Sequence, residues 1–242
     1  MKTKQLNKIV TGLAAALVLI GGRSTAHAAI LVTKDFNNTS QIYYPAIATD
    51  LINSGQPTLA GVSSNNYVKW GGLGSLANLN NGTVGASGNT GDLTIDDDGV
   101  FTVTFDLTID GTRPLGYSIT SIQTFAGWDD ARIQQAYEVW YSQVGSASYV
   151  QLGGAVTNRV DGSNPVNGST RITIAEDTLP YLVTGVDSLQ FRFSDATPPL
   201  PSDNMTTAYR EVDVLGVATI PEPATMLLLL CGGGLVALRR RR

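Results

Sequence analysis

Apolar and polar residues alternate with a period of two through much of the chain. In the longest run, Phe101, Val103, Phe105, Leu107 and Ile109 are separated by threonine and aspartate residues. Successive side chains of a strand point to opposite faces, so this run predicts a strand with one buried face and one wet face. Shorter alternations lie at residues 93–95, 137–141, 172–174, 189–193 and 212–214.

Turn-forming pairs separate these segments, at Asp98-Gly99, Asp110-Gly111, Gly153-Gly154 and Asp161-Gly162. Between Tyr117 and Ile122 the apolar phase shifts by one residue, which predicts a β-bulge near Ser121. About seven or eight strands in the range 78–217 indicate an all-β fold, an antiparallel β-sandwich or jelly roll. Residues 29–77 are less periodic, and we expect them to supply an irregular N-terminal part with edge strands and loops.

The N-terminal segment has the pattern of a secretory signal peptide. Lysines precede an apolar run over residues 9–20, and Ala26 and Ala28 place small residues at the third and first positions before a cleavage point. A membrane span needs about 20 apolar residues, more than this run provides. The sequence therefore predicts that residues 1–28 direct the chain to the general secretion machinery and are removed after Ala28.

The C-terminal segment combines a short motif, an apolar stretch and a basic end. Pro221, Glu222 and Pro223 precede an uncharged stretch over residues 224–238. A helix of that length would reach about 22 Å, which is marginal for a membrane span. Four arginines end the chain, and the positive-inside bias predicts that they stay cytoplasmic. They are Arg239, Arg240, Arg241 and Arg242.

In this order of parts, residues 218–242 resemble the PEP-CTERM sorting signal. The resemblance implies an exosortase as partner, transient anchoring of the chain in the inner membrane by a short transmembrane helix, and removal of the tail. It also implies delivery to the cell envelope, the cell surface or the extracellular matrix. A permanent tail anchor is the alternative reading of the same segment.

Charge and residue usage exclude several functions for the middle of the chain. Between residues 29 and 220 there are eight basic and nineteen acidic residues, a difference of −11, which would repel nucleic acid. The chain's one histidine, His27, and its one cysteine, Cys231, both lie in the terminal segments. The middle therefore has no disulfide, histidine base, cysteine nucleophile or thiolate zinc site. A glycoside hydrolase with two carboxylates stays open, although we expect no enzyme.

A second resemblance covers residues 78–217, which are similar to the galactose-binding-like jelly roll of discoidin and coagulation-factor type C domains. The segments that carry it are Gly116–Ile122, Gly127–Arg132, Tyr137–Ser142, Leu189–Phe193 and Tyr209–Gly216. This implies a non-catalytic module that binds carbohydrate, with exopolysaccharide as a candidate ligand. A purely structural surface protein without a specific ligand is the alternative.

The second resemblance also implies a structural calcium ion between an early turn and the last strand. Here these would be the turn at Asn81 and the carboxylate of Glu211, which offer the hard oxygen ligands that calcium prefers. Where the family usually has Asp-Gly, this chain has Asn80-Asn81-Gly82. An ordinary Asn-Gly turn and a surface glutamate explain the same residues.

Trp128, Asp129, Asp130 and Arg132 form the candidate ligand site. A sugar site needs an aromatic surface for stacking and planar polar groups for hydroxyls, and this cluster follows a predicted strand, in a loop. In the alternative, Trp128 fills the edge of the core and Arg132 pairs with Asp129 or Asp130.

Overall fold

A computed structural model describes residues 30–96, 99–129, 131–158, 167–194 and 206–220. The predicted signal peptide, residues 221–242 of the sorting tail with the predicted apolar helix, and Asp130 lie outside these ranges. The described residues form ten strands joined by turns and short 3₁₀ segments, with no α-helix. The strands are β1 (Ile30–Asn37), β2 (Leu59–Asn65), β3 (Phe101–Leu107), β4 (Tyr117–Trp128), β5 (Gln135–Gln143), β6 (Val150–Gln151), β7 (Val156–Asn158), β8 (Gly168–Glu176), β9 (Val183–Phe193) and β10 (Tyr209–Ala218).

All strand pairs are antiparallel, and they form two layers joined at one corner. The first layer has the order β1-β8-β4-β10. The second has the order β2-β3-β9-β5, with β6 and β7 on the far side of β5. The start of β9 also pairs with the start of β4 and so links the layers. The architecture is the predicted all-β sandwich, and β1 and β2 are edge strands.

One apolar core lies between the layers and draws residues from both. Phe105, Val139 and Phe191 of the second layer are fully buried with Ile122 and Ile172 of the first. Burial of apolar surface contributes about 25 cal/mol per Å² to folding, so this shared core is what holds the two sheets together. No helix of the described residues is long and apolar enough to cross a membrane.

The period-two pattern is confirmed in β3, where Phe101, Val103, Phe105 and Leu107 are buried. Ile109 does not belong to this face. The strand ends at Leu107 and Ile109 is 40% exposed, because the chain turns there around the Asp110 carboxylate, which accepts hydrogen bonds from two backbone amides downstream.

The predicted bulge is confirmed within β4. The register against β10 shifts between Ser121 and Ile119, so Thr120 is the extra residue. Thr120 and Ser121 are both half-buried, and the apolar phase restarts at Ile122.

A neutral polar network crosses the core between the layers. The Thr124 hydroxyl of β4 donates to the Gln135 side-chain oxygen of β5 at 2.6 Å and bonds the Tyr137 hydroxyl at 2.9 Å. The Gln135 amide donates to the Thr170 hydroxyl of β8 at 2.9 Å. Because every polar group in this network has a partner, the network can be buried at little cost. Its hydrogen bonds fix the position of one layer relative to the other.

The sandwich has two distinct ends. At the end that we call the loop end, β4 finishes at Trp128 and β10 begins at Tyr209, two residues that lie near each other through the pairing of Tyr209 with Ala126. At the opposite end, the terminus end, β4 begins at Tyr117 and β10 finishes at Ala218 beside it. The described chain leaves the sandwich toward the sorting tail from the terminus end.

Candidate functional site

Two tryptophans share one small apolar cluster at the loop end. Trp70 and Trp128 both pack against Leu93, Ile95 and Ala208, which are buried. Trp128 is the last residue of β4. Trp70 begins a 3₁₀ segment, and the backbone amide of Trp70 donates to the Ile95 carbonyl at 3.2 Å. Both indole rings stay half-buried, so each anchors on the cluster and leaves part of its surface to solvent.

A guanidinium covers one of these rings. The central carbon of the Arg132 guanidinium lies 4.9 Å from the centre of the Trp70 ring, within the range of a cation–π interaction. Arg132 is 9% exposed, whereas Asp129 in the same loop is exposed. We call Trp70, Trp128 and Arg132 the loop-end platform.

Of the four predicted ligand-site residues, the structure places Trp128, Asp129 and Arg132 in this one loop, and Asp130 is outside the described residues. Trp128 does pack on apolar residues, as the core-edge reading expected, but it is not fully buried. Trp70 was not predicted. It lies 62 positions before Arg132 in the chain, and no local pattern marks it.

A buried arginine holds the backbone beside the platform. Arg210 is 1% exposed, and its guanidinium donates to the carbonyls of Gly127, Val84 and Ala86 at 2.9, 2.8 and 3.1 Å. Burial lowers the pKa of Arg210 to about 10, although Asp92 opposes the shift. Gly127 is required here, because a side chain at this position would meet the Gln41 carbonyl oxygen at 2.0 Å.

Three buried carboxylates lie on β10 and on the loop that covers it. Glu211 and Asp213 of β10 are both 0% exposed, and Asp50 is 1% exposed. Alternation along β10 predicted a wet face, and a surface glutamate was one reading of Glu211. That reading is wrong, because the 47–53 loop and the turn at residues 80–83 pack over β10 and cover its polar face.

Each carboxylate is only partly satisfied. Asp50 accepts from the backbone amide of Ile52 at 2.9 Å, and Asp213 from that of Ile47 at 2.8 Å. Among the described residues, one oxygen of each carboxylate has no hydrogen-bond partner: Oδ2 of Asp50, Oε1 of Glu211 and Oδ1 of Asp213. Unsatisfied buried oxygens cost free energy, so this cluster differs from the neutral network in the core.

Burial shifts the titration of all three groups. Desolvation, reinforced by Asp213 and Asp50, raises the pKa of Glu211 to about 9. Desolvation also raises the pKa of Asp213 to about 7, with a further contribution from Asp50, and the pKa of Asp50 to about 6. Like charges in a low dielectric disfavour ionisation, so a bound cation would favour the ionised forms, most of all that of Glu211.

The structure brings the predicted Asn81 turn to Glu211. The backbone amide of Thr83 donates both to the Asn81 side-chain oxygen at 3.0 Å and to Glu211 Oε2 at 3.3 Å. Gly82 has φ of 78°, and a side chain there would lie 2.2 Å from the Asn53 amide nitrogen, so only glycine fits this turn.

The residues present suit a calcium ion in part. Within the described ranges, no group of three or more His, Cys, Asp or Glu side chains could hold a metal ion. The free oxygens of Glu211, Asp213 and Asp50 are nevertheless hard ligands, and the turn at Asn81 offers amide and carbonyl oxygens beside Glu211. A calcium ion would supply positive charge to a cluster that lacks it.

Two clefts lie toward the terminus end, away from the platform. One, of about 380 Å³, is lined by Asp106 and Asp187, whose carboxylates accept hydrogen bonds from the hydroxyls of Ser188 and Ser142. The other, of about 660 Å³, is largely apolar, and we call it the terminus groove. It is lined by Ser118, Leu179, Pro180, Tyr181, Thr184, Val217, Ala218, Thr219 and Ile220.

The fold is similar to those of several solved carbohydrate-binding and coagulation-factor-like domains. A pectin-binding carbohydrate-binding module is 14% identical, with 67% of this chain and 94% of that chain covered at a TM-score of 0.40. A CBM32 domain produced by Clostridium perfringens is 15% identical, with 69% and 98% covered and a TM-score of 0.41. An F5/8 type C domain from Bacteroides fragilis is 9% identical, with 81% and 99% covered and a TM-score of 0.31.

The comparison with curated proteins finds no match. The C-terminal segment, in contrast, matches a protein-family description, the PEP-CTERM protein-sorting motif, over residues 219–242. This match confirms the first resemblance that the sequence indicated, the sorting signal. The chain carries a PEP-CTERM sorting motif behind an all-β sandwich, which indicates an exported, cell-surface protein.

Proposed function

We propose that this protein is a non-catalytic carbohydrate-binding module of the cell envelope or extracellular matrix, with polysaccharide as its ligand. The observation that carries the proposal is the loop-end platform, in which Trp70 and Trp128 share one apolar support and Arg132 stacks on Trp70. Half-exposed indoles held rigidly beside a charged donor are what a pyranose ring requires.

Binding at the platform would combine two kinds of contact. The apolar face of a sugar ring would stack on the exposed part of an indole, while the Arg132 guanidinium and the exposed Asp129 carboxylate would donate to and accept from hydroxyls. Neither contact changes a covalent bond. The platform therefore supports binding without catalysis, and the contact area of about one or two rings suits millimolar affinity.

Part of the carboxylate cluster lies on the segment that packs under the platform. Ala208, which packs under both indoles, and Glu211 are three residues apart in the same segment. We propose that calcium bound by Glu211, with oxygen ligands from the Asn81 turn, holds this segment in place. Its role is structural, because it supplies charge to buried carboxylates and does not contact the sugar.

The sorting tail would be processed by an exosortase after export through the general secretion machinery and transient anchoring in the inner membrane. The tail follows the terminus end, whereas the platform lies at the loop end. A protein attached through its C-terminal end would therefore present the platform outward, which suits a role in holding polysaccharide at the cell surface.

The proposal is tested by glycan binding of residues 29–220, the span that contains the whole described sandwich. We expect weak binding to at least one polysaccharide of a broad panel that includes the host's own exopolysaccharide. Trp70→Ala and Trp128→Ala should each lower the affinity about ten-fold or more, the usual effect of removing an aromatic anchor.

Trp140→Ala is the matched control. Trp140 also has an arginine over its ring, Arg192 at 3.8 Å, but it lies on the outer face of β5 and donates to Glu138 at 2.8 Å. If all three variants keep a native melting transition and bind alike, the platform is not the ligand site. If the parent binds no glycan of the panel, the sandwich is a structural unit without a sugar ligand.

A further inference from the structure

The first residue of the sorting motif is fixed to the sandwich. The backbone amide of Thr219 donates to the Gly116 carbonyl at 2.8 Å. Its hydroxyl lies 2.9 Å from the Ser118 hydroxyl and accepts from the Gly185 amide at 3.3 Å. Thr219 thus contacts two separate segments, the start of β4 and the start of β9, and the matched motif begins at this residue.

This attachment sets a short distance between the sandwich and the site of processing. An extended chain covers at most about 3.6 Å per residue, so Pro221 lies within about 7 Å of Thr219 and Ala224, where the apolar stretch begins, within about 18 Å. An enzyme that recognises Pro221, Glu222 and Pro223 is much larger than these distances. We therefore expect it to contact the terminus end while it holds the tail.

The surface available for that contact is the terminus groove. Val217 is 51% exposed, Leu179 is 47% exposed and Ile220 is 80% exposed. The groove continues directly into the tail, because Thr219 and Ile220 belong to both. Exposed apolar side chains that line one concave surface are characteristic of sites where another protein binds.

Charge argues for a protein in this groove and against a lipid surface. No lysine or arginine lines the groove, whereas attachment to anionic lipid headgroups depends on basic residues. The span between residues 29 and 220, with eight basic and nineteen acidic residues, would be repelled by such headgroups. A concave surface also suits protein side chains better than a flat bilayer.

We propose that the terminus groove is a docking surface for the membrane-embedded peptidase that removes the sorting tail. The inference rests on the proposed processing by an exosortase. It adds that the enzyme reads the folded sandwich beside the motif as well as the motif itself. Apolar contacts in the groove would orient Pro221 and its neighbours toward the enzyme and slow their release.

The experiment follows tail removal from the full chain in the native host by pulse-chase and mass spectrometry. Val217→Asp places a charge in the groove and lies outside the matched motif. Its control is Val150→Asp on β6, which has nearly the same exposure, 52% against 51%, on a surface outside the groove. We expect Val217→Asp to slow tail removal about ten-fold, the effect of one interface hot spot, and Val150→Asp to leave it unchanged.

Leu179→Asp repeats the test in a loop, so that the result does not depend on how the end of β10 tolerates a charge. It should slow tail removal in the same way, with the precursor accumulating in the membrane fraction at an unchanged melting temperature. Normal processing of both groove variants would overturn the proposal. Loss of precursor from the membrane fraction would also overturn it, since the groove would then contact lipid.

Glu222→Ala separates this inference from the processing on which it rests. If this variant is processed normally, the motif is not used and the proposed sorting fails. If Glu222→Ala blocks processing while both groove variants are processed at the parent rate, sorting stands and only the docking surface is wrong.

Discussion

The two ends of the sandwich differ in the kinds of side chain that close them. The loop end buries Arg210 and Glu211, and Asp213 and Asp50 continue this charged row to the middle of β10; each is 1% exposed or less. The terminus end is closed by neutral hydroxyls and apolar side chains, with Thr219 bonded to Ser118 and to the backbone. Buried charge destabilises a fold unless it is compensated, so its presence at only one end needs a reason.

The reason that we infer is ligand binding. This fold can bury polar groups without charge, as the network around Thr124 and Gln135 in the core shows. Under the proposed calcium binding, the charged end gives instead a segment whose order would depend on that ion and on pH, and this segment continues to Ala208 under the platform. The two ends should therefore respond differently to calcium, to pH and to substitution.

The largest difference should appear on adding calcium. A ligand present at a hundred-fold excess over its Kd stabilises the native state by about 2.7 kcal/mol. For a domain of this size that corresponds to a rise in melting temperature of roughly 5 to 10 °C. Glu211→Gln should lose this rise, because the ligand carboxylate is gone, and calorimetry with and without chelator measures it.

Glu138→Gln is the control for the calcium experiment, since Glu138 is a half-buried glutamate of β5 far along the chain from the cluster. It should keep the calcium response of the parent. If calcium does not change the melting temperature of the parent protein, the ion has no place in the account. The carboxylate oxygens without a hydrogen-bond partner would then be unexplained.

The second difference concerns pH in the absence of calcium. The folded-state pKa values of Glu211, Asp213 and Asp50 are raised, to about 9, 7 and 6. Between about pH 4, where unfolded carboxyls titrate, and pH 9, the folded state binds more protons than the unfolded state. The free energy of unfolding should therefore fall as pH rises through this window.

Urea unfolding at pH 5 and pH 8 measures this effect. Saturating calcium should reduce the difference between the two pH values, and so should Glu211→Gln, which cannot ionise. Stability that rises with pH in calcium-free buffer would contradict the raised pKa values on which the comparison rests.

A smaller effect is expected from the guanidinium of the platform. Arg132→Lys keeps the charge but loses the planar group that stacks on Trp70, so glycan affinity should fall about two- to five-fold. Arg192→Lys makes the same change over Trp140 and should leave affinity unchanged. If titration calorimetry gives equal affinities for both variants, Arg132 does not contribute to glycan binding.

A substitution at the terminus end should have the smallest effect on the calcium response and the glycan binding of the loop end. Val217→Asp alters an exposed side chain, so it should change stability by no more than about 0.5 kcal/mol. It should alter neither the calcium response nor glycan binding. If either property moved with this substitution, the two ends would be coupled and their separation of roles would be wrong.

Much of the sandwich could be predicted from local pattern. The alternation through β3 and β9 marks strands with one buried face, and the phase shift before Ile122 marks the bulge at Thr120. Eight strands lie within residues 78–217, in agreement with the number expected. These features depend on neighbours in the sequence, which is why sequence alone carries them.

The site depended on contacts between distant segments and was predicted only in part. Trp128 was identified from the chemistry that a sugar site needs and Glu211 through family resemblance, whereas Trp70, Asp50 and Asp213 were not identified. Alternation along β10 placed Asp213 in solvent, yet the loop that contains Ile47 covers it from 166 residues away. A pattern with a period of two shows on which face of a strand a side chain lies, but it does not show which other segment covers that face.

The central claim is that the loop-end platform binds sugar, and the three tryptophans of the chain test it most directly. Their indole N–H resonances can be followed by NMR while an oligosaccharide from the host's exopolysaccharide is titrated into residues 29–220. The account predicts that the signals of Trp70 and Trp128 shift together with one Kd, while that of Trp140 stays in place. Binding that shifts only the Trp140 signal, or none of the three, would contradict it.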